Sequence, residues 1–384
     1  MKSLTPRIAC IDFYDANSPV YRDPIQIPMS LRSAGFYVEL VTRCDCDVEE
    51  IHGFPVSRVR ELLSGGEIAD RFQCVIAISR FDPSLSDILK RIKAGGVPLI
   101  VKGDTDGTLG YPIVPNYLRS VPLTAGGLNV LRHLKWRLPF KSVVASKLQH
   151  FEYADRVVYE SPGAGVNLAY VLNYWGLRRY VAKLAWIPNS VHDDYLEGTL
   201  PEKDGLKIVA VGRWDDRLVK GADILARVIS GALNGMEDIR FAVIGSGEEI
   251  VRQAIPERLL ERVEFTGQLD VTALKKLLRE AKIMIVPSRL ESFSIASAEA
   301  LCSGCSLVVT PVESLVYLSG GGAFGSVSRD FRPSSLMAAL DHEIKQWRGG
   351  ARRSDQISNY WRSQLSKEKI GQQWVDLVTI LLRQ

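Results

Sequence analysis

The sequence contains no apolar run long enough to cross a membrane. A membrane-spanning helix needs about 20 consecutive apolar residues, and the mean hydropathy of this 384-residue chain is +0.01. The first residues lead into an apolar stretch that Asp12 and Asp15 interrupt at once. We therefore expect neither a signal peptide nor a membrane anchor, and a cytoplasmic location.

Cysteine and histidine are also scarce, with 6 and 5 residues. Two cysteine pairs are close in sequence, Cys44/Cys46 and Cys302/Cys305, but no histidine adjoins either pair and the pairs fall in different predicted domains. We therefore predict packing thiols in a reducing compartment and no zinc site. None of the histidines lies in a recognisable catalytic motif.

The order of strand-like and helix-like segments indicates two α/β domains. Strands are predicted at Arg7–Phe13, Tyr37–Val41, Cys74–Ile78, Pro98–Val101 and Arg156–Tyr159, and helices at Pro24–Ser33, Pro83–Ala94, Ser161–Trp175, Arg353–Ser366 and Lys367–Leu382. This alternation favours a doubly wound parallel sheet, and the same plan recurs from Leu206 to about His342. With 46% hydrophobic residues, the chain can form two cores.

Glu291 and Glu299 bracket a segment that is typical of a ligand-binding loop. A strand is predicted at Ile283–Val286, and Ser294 is the predicted N-cap of a helix that runs to Gly304. Glu291 then lies at the carboxyl end of a strand, where open α/β sheets bind ligands. Carboxylates beside helix N-terminal amides suit a ligand whose sugar hydroxyls lie near a phosphate.

This segment resembles the Glu-x7-Glu signature of retaining glycosyltransferases with the GT-B fold, in particular family 4, also called group 1. Arg213, after the strand-like Ile208–Val211, and Lys220, at the start of a helix, stand where that family carries an Arg and a Lys. In the family these two cations clamp the donor diphosphate. Fixed cations can stabilise a leaving nucleoside diphosphate without a metal.

The resemblance implies an α/β GT-B architecture of two Rossmann-like, doubly wound parallel-sheet domains with a cleft between them. We expect an N-terminal acceptor-side domain over residues 1–188 and a C-terminal nucleotide-sugar-binding domain over residues 189–365. The C-terminal helix, residues 366–384, is expected to pack back on the first domain.

The resemblance also assigns roles to residues of the second domain. Glu291, Arg213 and Lys220 are the predicted catalytic residues, with Glu291 holding sugar hydroxyls and the two cations holding the diphosphate. Glu299 would hold the ribose. The remaining predicted donor contacts come from main-chain amides and glycine turns, at Gly212, Gly245, Gly247, Gly267, Phe293 and Ser294. We expect no metal and no cofactor.

The implied reaction transfers a hexose-type sugar with retention of the anomeric configuration. The implied donor is a UDP-sugar rather than a GDP-sugar. The implied acceptor is a hydroxyl of a glycan, a glycolipid or another lipid-linked, cell-envelope or secondary-metabolite molecule. Nucleic acid is not an expected partner. Two alternatives stay open. One is another GT-B enzyme, such as a sugar-nucleotide 2-epimerase, and the other is a non-catalytic partner subunit on the same scaffold.

The first domain follows the family pattern less closely, because the loop after its first strand has no glycine. Asn17 and Ser18 in that loop are candidate contacts. Asp104 and Asp106 form an Asp-x-Asp after the fourth predicted strand, a pattern that turn chemistry alone explains. We predict an acceptor-side role for these two aspartates, and for Glu160 after the fifth strand, without a metal.

The segment from Gly107 to Phe151 contains no Asp or Glu. Its six cations are Arg119, Arg132, Lys135, Arg137, Lys141 and Lys147, among leucines at helical spacing (Leu128, Leu131, Leu134 and Leu138) and Trp136. One interpretation is that the leucines pack on the first-domain sheet while the cations face water. The other is peripheral contact of residues 119–147 with an anionic membrane, beside a lipid-linked or anionic acceptor.

Overall fold

The computed structural model describes residues 5–18, 23–45, 47–64, 68–109 and 140–383. These residues form two compact units. Unit 1 comprises the described residues up to 109, residues 140–190 and residues 367–383, and unit 2 comprises residues 191–366. The chain thus passes from unit 1 to unit 2 after residue 190, two residues beyond the predicted boundary. Within the described ranges, no helix is both long enough and apolar enough to span a bilayer.

A single mixed sheet forms the centre of unit 1, in the order β3-β4-β2-β1-β5-β6-β7-β8. Its strands are β1 Arg7–Asp12, β2 Tyr37–Thr42, β3 Glu50–Ile51, β4 Phe54–Arg58, β5 Cys74–Ile78, β6 Leu99–Lys102, β7 Arg156–Tyr159 and β8 Leu184–Trp186. All neighbours are parallel except β3 and β4, which form a hairpin. The central strand β5 is buried on both faces, which explains its unbroken apolar sequence. The sequence analysis did not predict β3, β4 or β8.

The sheet of unit 2 is parallel throughout, in the order β11-β10-β9-β12-β13-β14. Its strands are β9 Leu206–Val211, β10 Ile239–Ile244, β11 Val263–Phe265, β12 Ile283–Val286, β13 Ser306–Val309 and β14 Gly325–Val327. The strand order reverses beside β9, because β10 and β12 lie on its two sides. Open parallel sheets bind ligands at the carboxyl ends of strands where the order reverses.

Helices connect these strands in both units. In chain order they are α1 Asp23–Ser33, α2 Val59–Ser64, α3 Ile68–Arg71, α4 Ser86–Ala94, α5 Phe140–Tyr153, α6 Pro162–Tyr174, α7 Asp193–Leu196, α8 Arg217–Lys220, α9 Ala222–Gly235, α10 Glu248–Arg252, α11 Val271–Glu280, α12 Ile295–Cys302, α13 Glu313–Leu318, α14 Pro333–Arg348, α15 Ser354–Leu365 and α16 Lys367–Leu382. Ser161 caps α6, since its hydroxyl accepts a hydrogen bond from the Ala164 amide at 3.2 Å. Short 3₁₀ turns at Pro83–Leu85, Arg178–Lys183, Glu257–Arg262 and Gly320–Gly322 complete the regular structure.

Helix α16 packs against α1 in unit 1, although unit 2 precedes it in the chain. The two helices approach closely, since a side chain at Gly371 would lie 2.7 Å from Cβ of Ser30. Ile370, Trp374 and Val378 are buried in the same apolar core as the strands β1, β2 and β5. The last described helix therefore completes the core of the first unit.

The core of unit 2 lies on both faces of its sheet. One apolar cluster packs α9 and α14 against the strands, and a second packs α12, α13 and α15 on the opposite face. Adjacent residues of β9 illustrate the alternation, because Ile208 belongs to the first cluster and Val209 to the second. Unit 2 is therefore doubly wound, and its loops at the carboxyl edge remain available for a ligand.

Candidate active site

Four loops of unit 2 lie together at the carboxyl edge of its sheet. They follow β9, β10, β11 and β12, which are neighbours or next neighbours in the sheet. All strands run parallel, so their carboxyl ends share one edge. The predicted donor-site residues, from Gly212 to Glu299, lie in these loops or in the helices that leave them.

Three glycine turns pack backbone to backbone at this edge. Gly245 has a φ of 116°, and a side chain there would clash with the carbonyl oxygen of Gly212. Its amide donates to the carbonyl oxygen of Gly267 at 2.7 Å. Gly247, with a φ of 72°, packs in the same way against the backbone of Asp215. These positions need glycine because only glycine combines a positive φ with such close approach.

Lys220 and Glu291 form an ion pair in the centre of this edge. Nζ of Lys220 lies 2.6 Å from Oε1 of Glu291, and their side chains are 19% and 9% exposed. The same carboxylate oxygen accepts a hydrogen bond from the Ser288 hydroxyl at 2.7 Å. Lys220 is the last residue of α8, and Gly221 follows it in the left-handed conformation, packed against the carbonyl of Pro287. The predicted diphosphate cation thus lies beside the predicted sugar-binding carboxylate.

A second ion pair, between Arg289 and Asp223, joins the same two loops. Its two parallel hydrogen bonds are 2.9 and 2.8 Å long, and the Arg289 side chain is only 6% exposed. Burial acts to raise the pKa of Asp223, but Arg289 outweighs it and the pKa is lowered. The Arg289 amide also donates to the carbonyl of Val219 at 2.7 Å. This bidentate pair fixes the loop of Lys220 against the loop of Glu291.

The sequence analysis did not predict the Arg289–Asp223 pair. The only signal was positional, since Arg289 precedes Glu291 by two residues and Asp223 follows Lys220 by three. Two opposite charges, each within three residues of a predicted site residue, could have suggested the pair. The contact was not visible in the sequence because the two residues are 66 positions apart.

Ser294 does not cap α12 in the predicted way. It occupies the N-cap position, but its φ is +71° and its hydroxyl bonds to the hydroxyl of Ser297 at 2.7 Å instead of to a backbone amide. The left-handed backbone accounts for this, because a side-chain cap needs extended φ and ψ at that position. The helix ends at Cys302, and the predicted end at Gly304 was two residues too late.

The other predicted donor residues lie around α12 and after β9. The Phe293 side chain is buried in the core, so only its main chain could meet a donor. Glu299 is half-buried in the second turn of α12. Arg213 is exposed, one residue after Gly212. The carboxyl edge of unit 2 thus holds an exposed Arg, a Lys–Glu pair, a second carboxylate and open main-chain turns.

In unit 1, three of the predicted acceptor-side residues form local turns. The Asn17 amide donates to Asp15 Oδ1 at 2.9 Å, and the Ser18 hydroxyl accepts from the Asp15 amide at 3.0 Å. Asp106 Oδ1 accepts from both the amide and the hydroxyl of Thr108, at 3.0 and 2.8 Å. Their side-chain geometry is that of Asx turns and related turns.

Glu160 is part of a buried polar network around Lys102, a residue that the sequence analysis missed. The Lys102 ammonium contacts the Asp23 carboxylate, Glu160 Oε2 at 3.3 Å and Asn189 Oδ1 at 3.1 Å. Burial acts to lower the pKa of Lys102, but the two carboxylates outweigh it and raise the pKa. Glu160 has no exposed surface. The sequence analysis predicted an acceptor-side role for Glu160, and the structure buries its side chain completely.

Asp104 pairs with an arginine at the same edge of unit 1. Nε of Arg80 lies 3.2 Å from Asp104 Oδ2. Burial acts to raise the pKa of Asp104, but Lys102 and Arg80 outweigh it, so the pKa is lowered. Among the residues that the structure describes, no three or more His, Cys, Asp or Glu side chains are grouped as metal ligands.

The cysteine pair near α12 packs in the core of unit 2. Cys302 and Cys305 are fully buried free thiols. The Cys305 thiol donates to the carbonyl of Leu278 at 3.0 Å and lies 3.7 Å from the ammonium of Lys203. Burial raises the pKa of Cys302 to about 12. Both side chains therefore pack in the core of unit 2.

Most of the basic segment predicted to meet solvent or membrane lies outside the described residues. Arg119, Arg132, Lys135, Arg137, Trp136 and the four leucines all fall in residues 110–139. Of the remaining two cations, Lys141 lies in α5, and the Lys147 ammonium donates to the carbonyl of Leu109 at 3.0 Å. Both interpretations of this segment stay predictions.

Comparison with known proteins supports the fold. Residues 205–342 match the family described as Glycosyl transferases group 1. The structure is similar to sucrose-phosphate synthase from Thermosynechococcus elongatus, with a TM-score of 0.68 and 17% identity over 98% of this chain and 99% of that one. It is also similar to Anabaena HepE in complex with UDP, with a TM-score of 0.71 and 12% identity over 98% of this chain and all of that one.

Sequence relatives match part of the chain. Phosphatidyl-myo-inositol mannosyltransferase from Mycobacterium leprae is 26% identical over 173 residues, which are 44% of this chain and 43% of the relative. One phosphatidylinositol N-acetylglucosaminyltransferase subunit, from Arabidopsis thaliana, is 33% identical over 136 residues, 34% of this chain and 30% of the relative. The match thus spans less than half of either relative. The predicted α/β GT-B fold and the resemblance to group 1 glycosyl transferases are confirmed.

Proposed function

Because residues 205–342 match the group 1 glycosyl transferases, we propose that this protein transfers a hexose-type sugar from a nucleoside diphosphate sugar to a hydroxyl group. The product keeps the anomeric configuration of the donor, and the donor is a UDP-sugar. The acceptor is a glycan or a lipid-linked sugar of the cell envelope. The protein would act in the cytoplasm, with or without peripheral contact at the inner membrane face.

The observation that carries this proposal is the Lys220–Glu291 pair at the carboxyl edge of unit 2. A nucleoside diphosphate sugar joins an anionic diphosphate to a ring of hydroxyls. An ammonium and a carboxylate 2.6 Å apart offer adjacent partners for these two parts. The surrounding glycine turns let backbone amides approach the donor closely.

In the proposed reaction, Lys220 and Arg213 stabilise the charge that develops on the leaving diphosphate. Preorganised cations act most strongly on charge that appears in the transition state, and here Arg289 and Asp223 hold the Lys220 loop in place. Glu291 accepts hydrogen bonds from the sugar, and Glu299 from the ribose. A donor phosphate oxygen takes the acceptor proton, so the reaction needs no metal and no dedicated protein base.

The relatives support the choice of substrates. HepE was solved with UDP, and with UDP and glucose, which favours a uridine donor for this chain as well. The two partial relatives carry names of enzymes that glycosylate phosphatidylinositol, which favours a lipid-linked acceptor. These substrates are proposals for this chain, because the relatives are matched over less than half of their length.

The decisive experiment mixes the purified protein with single UDP-, GDP- and ADP-sugars and measures release of the nucleoside diphosphate. We expect release with a UDP-sugar, loss of release in Glu291→Gln and Lys220→Gln, and native rates in the matched surface variant Lys207→Gln. Conversion of the donor to its sugar epimer without diphosphate release would show an epimerase instead. No turnover and no binding of any donor by calorimetry would refute the proposal.

A further inference from the structure

Phe13 is held on the surface of unit 1 by two anchored neighbours. The Phe13 side chain is 54% exposed, whereas Asp12 and Tyr14 on either side are buried. The Tyr14 hydroxyl donates to the carbonyl of Pro24 at 3.0 Å, and its own carbonyl accepts from the Thr42 hydroxyl at 2.7 Å. This loop follows β1, so the exposed ring lies at the carboxyl edge of the sheet, where open α/β sheets bind ligands.

One face of the Phe13 ring is backed by an arginine. The Arg43 guanidinium carbon lies 4.1 Å from the ring centroid, within the range of a cation–π contact. Arg43 is itself fixed, since its NH2 group donates to Asp82 Oδ2 at 2.9 Å and to the Ser84 hydroxyl at 2.5 Å. Its side chain is only 10% exposed. With Arg43 behind it, the exposed surface of Phe13 is the opposite face and the ring edge.

Charged groups lie in the neighbouring loops at the same edge of the sheet, since Arg80 follows β5 and Asp104 follows β6. The pKa of Asp12 is raised chiefly by burial, and the nearby charges of Arg80, Asp104 and Arg43 act on it as well. Arg80 has a φ of +45°, which costs energy for a residue with a side chain. That conformation accompanies the ion pair between Arg80 and Asp104. The edge of unit 1 thus combines an exposed aromatic face, the exposed guanidinium of Arg80 and the partly exposed carboxylate of Asp104.

We propose, resting on the function proposed above, that the Phe13 ring is a stacking platform for the acceptor and that the acceptor presents a polyhydroxylated ring there. Such a ring has an apolar C–H face, which stacks on an aromatic ring, and hydroxyls at its rim, which Asp104 and Arg80 bind. A sugar and a cyclitol share this chemistry. Phe13 is then a specificity-determining residue for the acceptor, separate from the donor residues of unit 2.

The test uses saturation-transfer NMR on the full chain with methyl α- and β-glycosides of common hexoses as one set of probes and myo-inositol as the other. We expect saturation on the C–H protons of one ring face in at least one probe. Phe13→Ala should weaken the binding of that probe about 2- to 12-fold, which is the range expected for the loss of an aromatic contact. Phe13→Tyr should restore it, and Tyr170→Ala, which removes another exposed aromatic side chain of unit 1, should have no effect. The probe set that responds distinguishes a sugar from a cyclitol.

Two results would overturn the inference. One is the absence of saturation transfer to every ring-bearing probe, and the other is equal binding to the native protein and to Phe13→Ala. Donor turnover is measured separately, as release of nucleoside diphosphate into water, and should not change in Phe13→Ala. If the proposed function is wrong, the native protein will not turn over any donor. If only this inference is wrong, ring-bearing probes will not bind, or their binding will not depend on Phe13.

Discussion

Replacing Lys220 by Gln tests whether its ion pair with Glu291 serves structure, chemistry or both. The substitution removes a cation whose Nζ lies 2.6 Å from Glu291 Oε1 and leaves that carboxylate with the Ser288 hydroxyl as a partner. The side chain of Glu291 is only 9% exposed. The uncompensated carboxylate should therefore destabilise unit 2, and the lost cation should slow sugar transfer.

The burial of the pair sets the size of both effects. An exposed ion pair contributes about 0–1 kcal/mol, whereas breaking a buried one costs about 3–5 kcal/mol. With side-chain exposures of 19% and 9%, Lys220→Gln should lower the free energy of unfolding by about 1–2 kcal/mol. Loss of one preorganised charge contact should lower turnover by about 10²–10³-fold.

A double-mutant cycle separates the two effects. Adding Glu291→Gln to Lys220→Gln removes the unpaired charge, so urea unfolding should recover most of the lost stability while diphosphate release stays low. The control is Lys207→Gln, which breaks a more exposed pair with Glu280 in the same unit, 3.1 Å long, and should change stability by less than about 1 kcal/mol. Native turnover in Lys220→Gln, or a double variant that is less stable than both single ones, would refute this reasoning.

Three further predictions concern other parts of the molecule. Gly245→Ala should prevent the turn after β10 from packing on Gly212, so that both thermal stability and nucleotide binding fall, measured by scanning calorimetry and titration. Burial lowers the pKa of His150 to about 4 from about 6.5. Between these values the unfolded chain binds the extra proton, so native stability should fall as pH drops from about 6.5 to 4. In His150→Phe, the free energy of unfolding measured with urea should fall by up to about 3 kcal/mol less over this pH range than in the native protein. EDTA should leave donor turnover unchanged, and a strict Mn²⁺ requirement lost in Asp104→Asn or Asp106→Asn would contradict this.

The strands that were predicted well are those buried on both faces. Cys74–Ile78 and Ile283–Val286 were predicted to the residue, because a central parallel strand is apolar throughout. The hairpin strands Glu50–Ile51 and Phe54–Arg58 and the edge strand Leu184–Trp186 were missed. They are two, five and three residues long and lie at the margins of the sheet. All three strands are only partly buried, so none of them has the continuous apolar run that marks a buried strand in the sequence.

In the candidate site as well, features that depend on nearby residues were predicted, whereas contacts between residues far apart in the sequence were not. The loop of Glu291 was predicted from the end of a strand, which is a local feature of the sequence, and Lys220 was predicted from the resemblance to the group 1 family. Their mutual contact spans 71 residues, and the contact of Lys102 with Asn189 spans 87. The sequence shows which residues are charged. It does not show which partners they contact, although a buried charge must be paired in the folded protein. The prediction that Ser294 caps α12 with its side chain was wrong for a local reason, because such a cap needs a backbone conformation that this loop does not adopt.

The return of α16 to unit 1 has a consequence for synthesis on the ribosome. Unit 2 is continuous within the described residues, so its core can close as soon as residue 366 has emerged. Unit 1 lacks Trp374 and Val378 of its core until residues 367–382 have followed. The unit that is made first would then mature last, because the face of α1 that α16 covers stays exposed until α16 is available. If an unrelated linker replaces residues 367–384 and holds residue 366 outside the exit tunnel, a stalled ribosome should carry a protease-resistant unit 2 and a protease-sensitive unit 1.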